Sequence, residues 1–454
     1  MKNILKLWVT GLVLIPAVAL AYGPQSVITS TGQPVKWTLP IAYDIESDLD
    51  VRGKSVSTLL DDAVAEWTAI TESSILITKG SLGVSIDNDN VCCYLYDSAA
   101  CPSASLTDGI NPIVVDDDGS IVARFFGTAN RFVVLGFAAI ISYDSATGVA
   151  AKGEAVFNAA CLNTVEITGC GSLSFSDDDF TSFIVHETGH FLGLNHTQVN
   201  DDAANDSDTS NDDLITTMYP IFTVGNGTNF KSPERDDKVG LAFLYPASDF
   251  ASTTGKLSGT VKNSSGTQYQ CANMIARNTT SSLSKTDAIS FISGALSAGG
   301  TADGTYEILG LTAGQSYSVE AEPINANFTS SSGLPPCDGS GSNPGPSSKQ
   351  FTDQTSGTTV SATAGSSATG VDFTLAGTSS LRLPTLEVGN VEQAPEQDEE
   401  IPDLDAESQQ VIAADIAALE LRSKNASSCS SSTVGTVTTG SSASSGGCSL
   451  IPGF

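Results

Sequence analysis

The sequence predicts an α+β domain, followed by an all-β sandwich and then a tail with no core. Three observations carry this. Between Val35 and about Ser248 the chain has the density of apolar and aromatic residues that a packed domain needs, with short apolar runs ahead of one long helical stretch. From 255 to 376 charges are sparse, Gly, Ser and Thr are abundant, and short segments alternate in polarity. Beyond Gly377 the chain turns acidic and proline-containing and then runs out in Ser, Thr and Gly, a composition that cannot bury enough apolar surface to order itself. A length of 454 residues suits two or three such units.

The first element is a leader. Lys2 and Lys6 precede an apolar run from Leu7 to Leu20, and the small residues Ala19 and Ala21 flank Leu20, so 1–21 is expected to be a secretion signal removed at that point. The run is short for a spanning helix, and no second segment could span, so the mature chain is expected to lack a transmembrane domain. The first domain is then 22–250. Within it Val35 to Ile45 reads as a strand. Ser55 to Ile70 reads as a helix, because Leu59, Leu60, Ala63, Val64, Trp67 and Ile70 follow the helical period. Ile75 to Thr78, Ile110 to Val115, Ile121 to Phe126, Val133 to Tyr143 and Val149 to Asn158 read as further strands. Ser176-Asp-Asp-Asp179 is a capping box with carboxylates in the first turn, so a helix should start there and run to about Leu192, where Gly193 stops it. In the second domain, 255–376, Gly259-Thr-Val-Lys262 and Tyr317-Ser-Val-Glu-Ala321 carry the two-residue period of a sandwich. The tail, 377–454, offers one helical pattern, from Ala406 to Arg422.

The formal charge is −31, from 51 acidic and 20 basic residues. This disfavours nucleic acid and anionic membranes as partners, since either needs a basic patch. Nine cysteines in an exported chain suggest disulfides, and proximity suggests Cys161 with Cys170, Cys271 with Cys337, and Cys429 with Cys448; Cys101 is left to close a loop with Cys92 or Cys93. Bound calcium is a candidate use for the acidic residues. Asp116-Asp-Asp118-Gly119 reads either as part of a calcium loop or as a solvated turn, and the Asn200 to Asp213 insert reads either as a calcium site or as a polar loop.

The chain has three histidines, all in His186-Glu187-Thr-Gly-His190-Phe-Leu-Gly193-Leu-Asn-His196. Residues four apart share a helix face, so His186 and His190 can present two nitrogens to one ion, and a turn at Gly193 can bring His196 round as a third ligand. Three protein ligands leave a position for water. Glu187, beside the ligands, can act as the base that takes that water's proton while the metal polarises a carbonyl. A lone helical histidine is usually just a partly buried polar group; the glutamate and the turn glycine argue against that reading here.

The segment from His186 to His196 fits HExxHxxGxxH at every defined position and resembles the signature of metzincin metallopeptidases. Thr217-Met218-Tyr219-Pro220 resembles the Met-turn of the matrixin branch. The resemblance extends over about 35 to 246: Lys36-Trp37 at the first strand, Ala65-Glu-Trp67 in the first helix, and Asp236-Asp237-Lys-Val-Gly240 through Leu244-Tyr245 at the closing helix. It implies a twisted mixed sheet with an active-site helix, one catalytic Zn2+ held by His186, His190 and His196, and Met218 as a base beneath it. It also implies that Pro220-Ile221-Phe222, with Tyr219, lines the pocket for the side chain after the scissile bond, with an apolar preference. Two departures limit it: no histidine remains for a structural second zinc, and the short stretch between leader and first strand has no cysteine to hold a zymogen latent. The bacterial members of the family are the nearer comparison.

In the second domain, the run from Asp303 through Gly314 to Tyr317 resembles the signature of carboxypeptidase regulatory-like domains, and Val371-Asp-Phe-Thr-Leu375 resembles their last strand. The end, Gly446 to Phe454, resembles the start of bacterial C-terminal sorting signals without the hydrophobic helix that follows in those, so attachment to the cell surface stands beside free secretion. The expectation is a secreted zinc endopeptidase acting on protein or peptide substrates, with Glu187 as general base. The competing reading is a surface or matrix binding protein that works through its sandwich and keeps a vestigial metal site. A zinc hydrolase of non-peptide bonds is a third.

Overall fold

A computed structural model gives the architecture. It describes residues 23–376 except 29, 47–49, 52–53, 96–108, 133, 162–175, 205–208, 220–221, 224–229, 299–302, 325–353 and 358, together with 410–411 and 449–450. The leader expected over 1–21 lies outside the described residues. The fold is mixed α+β with several sheets, and no described helix is long and apolar enough to cross a membrane.

In the first domain β1 (Ile41–Ile45), β2 (Ile77–Ser81), β3 (Pro112–Asp116), β4 (Gly136–Tyr143) and β5 (Ala150–Asn158) lie in the order β4-β5-β3-β1-β2. The pairs β1–β2, β1–β3 and β3–β5 are parallel, whereas β4 runs antiparallel to β5. One face of the sheet carries α1 (Val56–Thr68), whose buried Leu59, Leu60, Ala63 and Trp67 follow the expected period. The other face carries α2 (Ser120–Phe126), where Phe125 and Phe126 meet Phe137 of β4 edge-on, with ring centroids 5.9 and 5.2 Å apart. Across α1 lies α3 (Asp177–Phe191), and α4 (Arg235–Leu244) closes the domain.

The segment Ile121 to Phe126, expected as a strand, is the helix α2. Gly119, at φ 77°, turns the chain after β3, and two carboxylates then cap the new helix. Asp118 Oδ1 accepts from the Ser120 amide at 2.8 Å and Asp116 Oδ2 from the Val122 amide at 2.7 Å. Ile121, Val122, Phe125 and Phe126 share one helical face, which an apolar run in a short window does not distinguish from a buried strand. Through those two bonds the Asp116–Gly119 stretch caps α2, and Asp118 also pairs with Arg131 at 3.2 Å. In the Asn200 to Asp213 insert, Asp201 accepts from the Tyr219 hydroxyl at 2.6 Å and Asp202 pairs with Lys285.

The second domain has two sheets. In one, β6 (Thr254–Asn263) pairs antiparallel with β9 (Thr305–Thr312) and parallel with β11 (Ser367–Thr369) and β12 (Phe373–Leu375). In the other, β7 (Ala272–Asn278) lies between β8 (Ala288–Ile292) and β10 (Ser316–Pro323). Leu257, Val261, Tyr306 and Ile308 of the first and Met274, Ala276, Tyr317 and Val319 of the second belong to one apolar cluster, which continues without a break into the first domain. Cys92, Cys93, Cys161 and Cys271 are all in disulfides, so both members of the vicinal pair are bonded, and not one alone. The expected partners Cys170, Cys337 and Cys101, and the pair Cys429 and Cys448, lie outside the described residues. In the tail, Gln410–Val411, expected within a helix, pairs antiparallel with Phe222–Thr223; the rest of that expected helix is also outside the described residues.

Candidate metal centre

The site begins with the helix that carries it. Ser176 Oγ accepts from the Asp179 amide at 3.0 Å, while Asp179 Oδ2 accepts from the Ser176 amide at 2.8 Å, the reciprocal capping box expected from sequence. Three carboxylates in the first turn, at Asp177, Asp178 and Asp179, suit the positive end of the helix dipole. At the other end Gly193 stands at φ 97°, with its amide on His190 O at 2.9 Å and the Leu194 amide on Gly189 O at 3.0 Å. This is a Schellman closure, and it turns the chain so that His196 comes back towards the helix.

The remaining terminal carbonyls of α3 are each met by a donor from another segment. Trp37 Nε1 donates to Phe191 O at 2.7 Å, the Tyr245 hydroxyl to Leu192 O at 2.7 Å, and the Gln25 amide to Gly193 O at 2.8 Å. Halfway along the helix, Trp67 Nε1 donates to Val185 O at 2.9 Å. Buried carbonyls need such partners, and here they fix the helix and its turn relative to β1, α1 and α4.

The three imidazoles converge, all of them buried. The Nε2 atoms of His186 and His190 are 3.1 Å apart, those of His190 and His196 3.1 Å, and those of His186 and His196 3.3 Å. Their other nitrogens decide the tautomer: His186 Nδ1 lies 2.6 Å from Thr217 O and His190 Nδ1 2.8 Å from Leu194 O. A carbonyl only accepts, so the Nδ1 atoms of His186 and His190 carry the hydrogen and their Nε2 lone pairs face one another and His196 Nε2. Facing lone pairs repel unless a cation lies between them. An ion about 2.0–2.1 Å from each nitrogen, with tetrahedral angles, puts the nitrogens about 3.3–3.4 Å apart, a little wider than the 3.1–3.3 Å observed. Among the described residues this is the group of three or more ligand side chains that could hold a metal ion.

Glu187 is buried on the same helix, against β4. A Cβ at Gly136 would come within 3.1 Å of Glu187 Cγ and 3.3 Å of its Oε1, so the glycine leaves the room the carboxylate occupies. Met218 is fully buried beneath the helix, and a Cβ at Gly189 would lie 2.4 Å from its Sδ. The turn bearing it is held by Asp237, whose Oδ2 accepts from the Thr217 amide at 2.9 Å and Oδ1 from the Met218 amide at 3.2 Å. The Thr197 amide in turn donates to Met218 O at 3.1 Å, tying the third histidine's segment to the same turn.

Of the expected pocket, Tyr219 is buried with its hydroxyl on Asp201, Pro220 lies outside the described residues, and Phe222 opens a two-residue strand. Gly136, Gly189 and Gln25 were not singled out by the sequence reading. Gln25 binds the edge of β4 with both ends of its carboxamide, Nε2 to Ala138 O at 3.3 Å and Oε1 from the Ile140 amide at 2.9 Å. No sequence pattern marks that contact, because it joins residues more than a hundred positions apart. No family model and no curated protein matches the chain.

Proposed function

We propose that the chain is a secreted zinc endopeptidase of metzincin type, on the matrixin side of that family, followed by a carboxypeptidase regulatory-like sandwich. The observation that carries this is the convergence of three Nε2 atoms at the helix that also buries Glu187. Three converging imidazoles are the donor set of a catalytic zinc, which would take water as its fourth ligand, and His186, His190 and His196 would hold it. Zinc supplies, when bound, Lewis-acid activation of a water and of the carbonyl under attack.

The chain's own residues do the rest. Thr217 and Leu194 carbonyls keep His186 and His190 in the ligating tautomer. Glu187 takes the proton of the attacking water and passes it to the leaving amine, so the peptide bond breaks without an acyl-enzyme. Met218 underlies the helix between the first two ligands, and Tyr219, Pro220 and Phe222 are assigned to the pocket after the scissile bond. A binding protein with a vestigial site would have no use for a carboxylate buried beside three ligands, which weighs against the adhesin-like alternative.

Glu187→Ala in the full chain should cut cleavage of casein by a factor of ~10²–10⁴, the usual worth of a general base, while zinc content stays at one ion per chain. Cleavage at the wild-type rate by that variant would sink the proposal. A chelator should abolish activity in the wild type, and added zinc should restore it.

A further inference from the structure

The segment that follows the third histidine is gripped almost residue by residue by the second domain. Thr197 donates through Oγ1 to Asp236 Oδ2 at 2.6 Å, and Asp236 Oδ1 accepts from the backbone amide of Ser290, in β8, at 2.6 Å. Gln198 Nε2 donates to Pro323 O at 3.1 Å, at the end of β10. Val199 forms a small apolar cluster with Ile275 and Ala288. Asn200 Nδ2 donates to Leu214 O of the first domain at 2.7 Å and to Lys285 O of the second at 3.2 Å, and its Oδ1 accepts from Arg277 of β7 at 2.8 Å.

Loops are ordinarily exposed and mobile. Thr197, Gln198, Val199 and Asn200 are instead 3, 3, 1 and 2% exposed. Asn200 stands at φ 62°, a left-handed conformation that a non-glycine residue keeps only when its surroundings fix it. The connection between the domains is also short, a helix over Phe250–Thr253 leading straight into β6. A module tethered for binding alone needs none of these contacts.

We propose that the β-sandwich is a structural part of the metal centre, a clamp that places His196 by holding residues 197–200, with Asp236, Asn200 and Arg277 as positioning residues. The inference rests on the metal-centre reading above. By linkage the coupling must be reciprocal: if the sandwich favours the geometry that binds metal, bound metal must favour the docked sandwich.

The test uses the full chain. Backbone hydrogen exchange is measured with zinc and after chelation, and zinc affinity is measured by competition for the wild type, Asn200→Gly and Arg277→Met. Glycine accepts the left-handed conformation without strain, so Asn200→Gly removes the side-chain bonds and leaves the backbone as it is. The expected result is slower exchange over 272–278 and 288–292 with zinc, and affinity weaker by about tenfold or more in both variants, the usual cost of losing a group that orients a ligand. Affinities equal to wild type, with exchange in those strands indifferent to zinc, would overturn the clamp. Should a variant fail to fold, the wild-type exchange measurement decides alone. If the wild type takes up no zinc, the metal-centre reading itself falls, which is a different outcome from the failure of the clamp.

Discussion

At position 189 the helix has room only for a hydrogen. A Cβ there would lie 2.4 Å from Met218 Sδ and 2.9 Å from Trp67 Cζ2. The thioether could swing aside, but Trp67 is fully buried with its indole nitrogen bound to Val185 O, so it cannot. Alanine gains about 1 kcal/mol over glycine in a free helix, whereas overpacking a core costs about 1–3 kcal/mol. Gly189→Ala should therefore lower the melting temperature and weaken zinc binding together; a variant melting above the wild type would show that the Met218 contact is loose. The convergence of the three imidazoles was legible in the sequence because it is local, within one helix and its turn. The need for glycine at 189 was not, because that position is undefined in the motif and its meaning appears only when Met218 arrives from 29 residues further on.

The helix α3 was the most legible element, since its start is a capping box and its stop is a glycine at positive φ, both written in adjacent residues. Trp37 and Tyr245 were visible only as points of family resemblance, and Trp67 also as an apolar position of the α1 period; their shared physical role is to hydrogen-bond carbonyls of α3 and its C-cap. Tyr245 is the one of these that also accepts a backbone bond, from the Trp37 amide at 3.1 Å. Tyr245→Phe leaves two buried backbone groups unpaired, at a cost of ~1–3 kcal/mol each. The melting temperature should fall and zinc affinity with it, and a change within error in both would show that water replaces the hydroxyl. Where the reading failed, at α2, the deciding groups were the Asp116 and Asp118 carboxylates turned onto the helix amides, and an acidic run in sequence does not say which way its side chains turn. The contacts of residues 197–200 with the second domain were equally hidden, because those partners lie 76 to 125 positions away along the chain.

Across the whole molecule, several carboxyls are buried and their pKa values are raised. Burial pushes Glu46 up to about 7, against the opposing pull of the Ile86 and Val115 amides that donate to it, and the nearby Asp117 and Asp116 add to the rise. Burial likewise pushes Glu234 up to about 7 and Asp236 up to about 8. A carboxyl with a raised folded pKa holds a proton that the unfolded chain has already released, so stability falls as pH climbs from the unfolded value, about 4, to the folded one. The net charge of −31 acts in the same sense, through self-repulsion that grows as carboxyls ionise. The metal-free protein should therefore melt at progressively lower temperature between pH 5 and pH 8, and Glu46→Gln should flatten that slope. On the proposed metal centre zinc would run the other way, because imidazole ligates only when neutral and affinity then rises with pH. The gap between zinc-loaded and metal-free melting temperatures should widen over the same interval, zinc then offsetting at neutral pH a stability that the buried carboxyls withdraw. Scanning calorimetry across pH, with and without chelator, reads both slopes at once. A metal-free melting temperature that rose from pH 5 to 8 would mean that the amides donating to Glu46 and the hydroxyls around Asp236 outweigh burial and hold those carboxyls ionised.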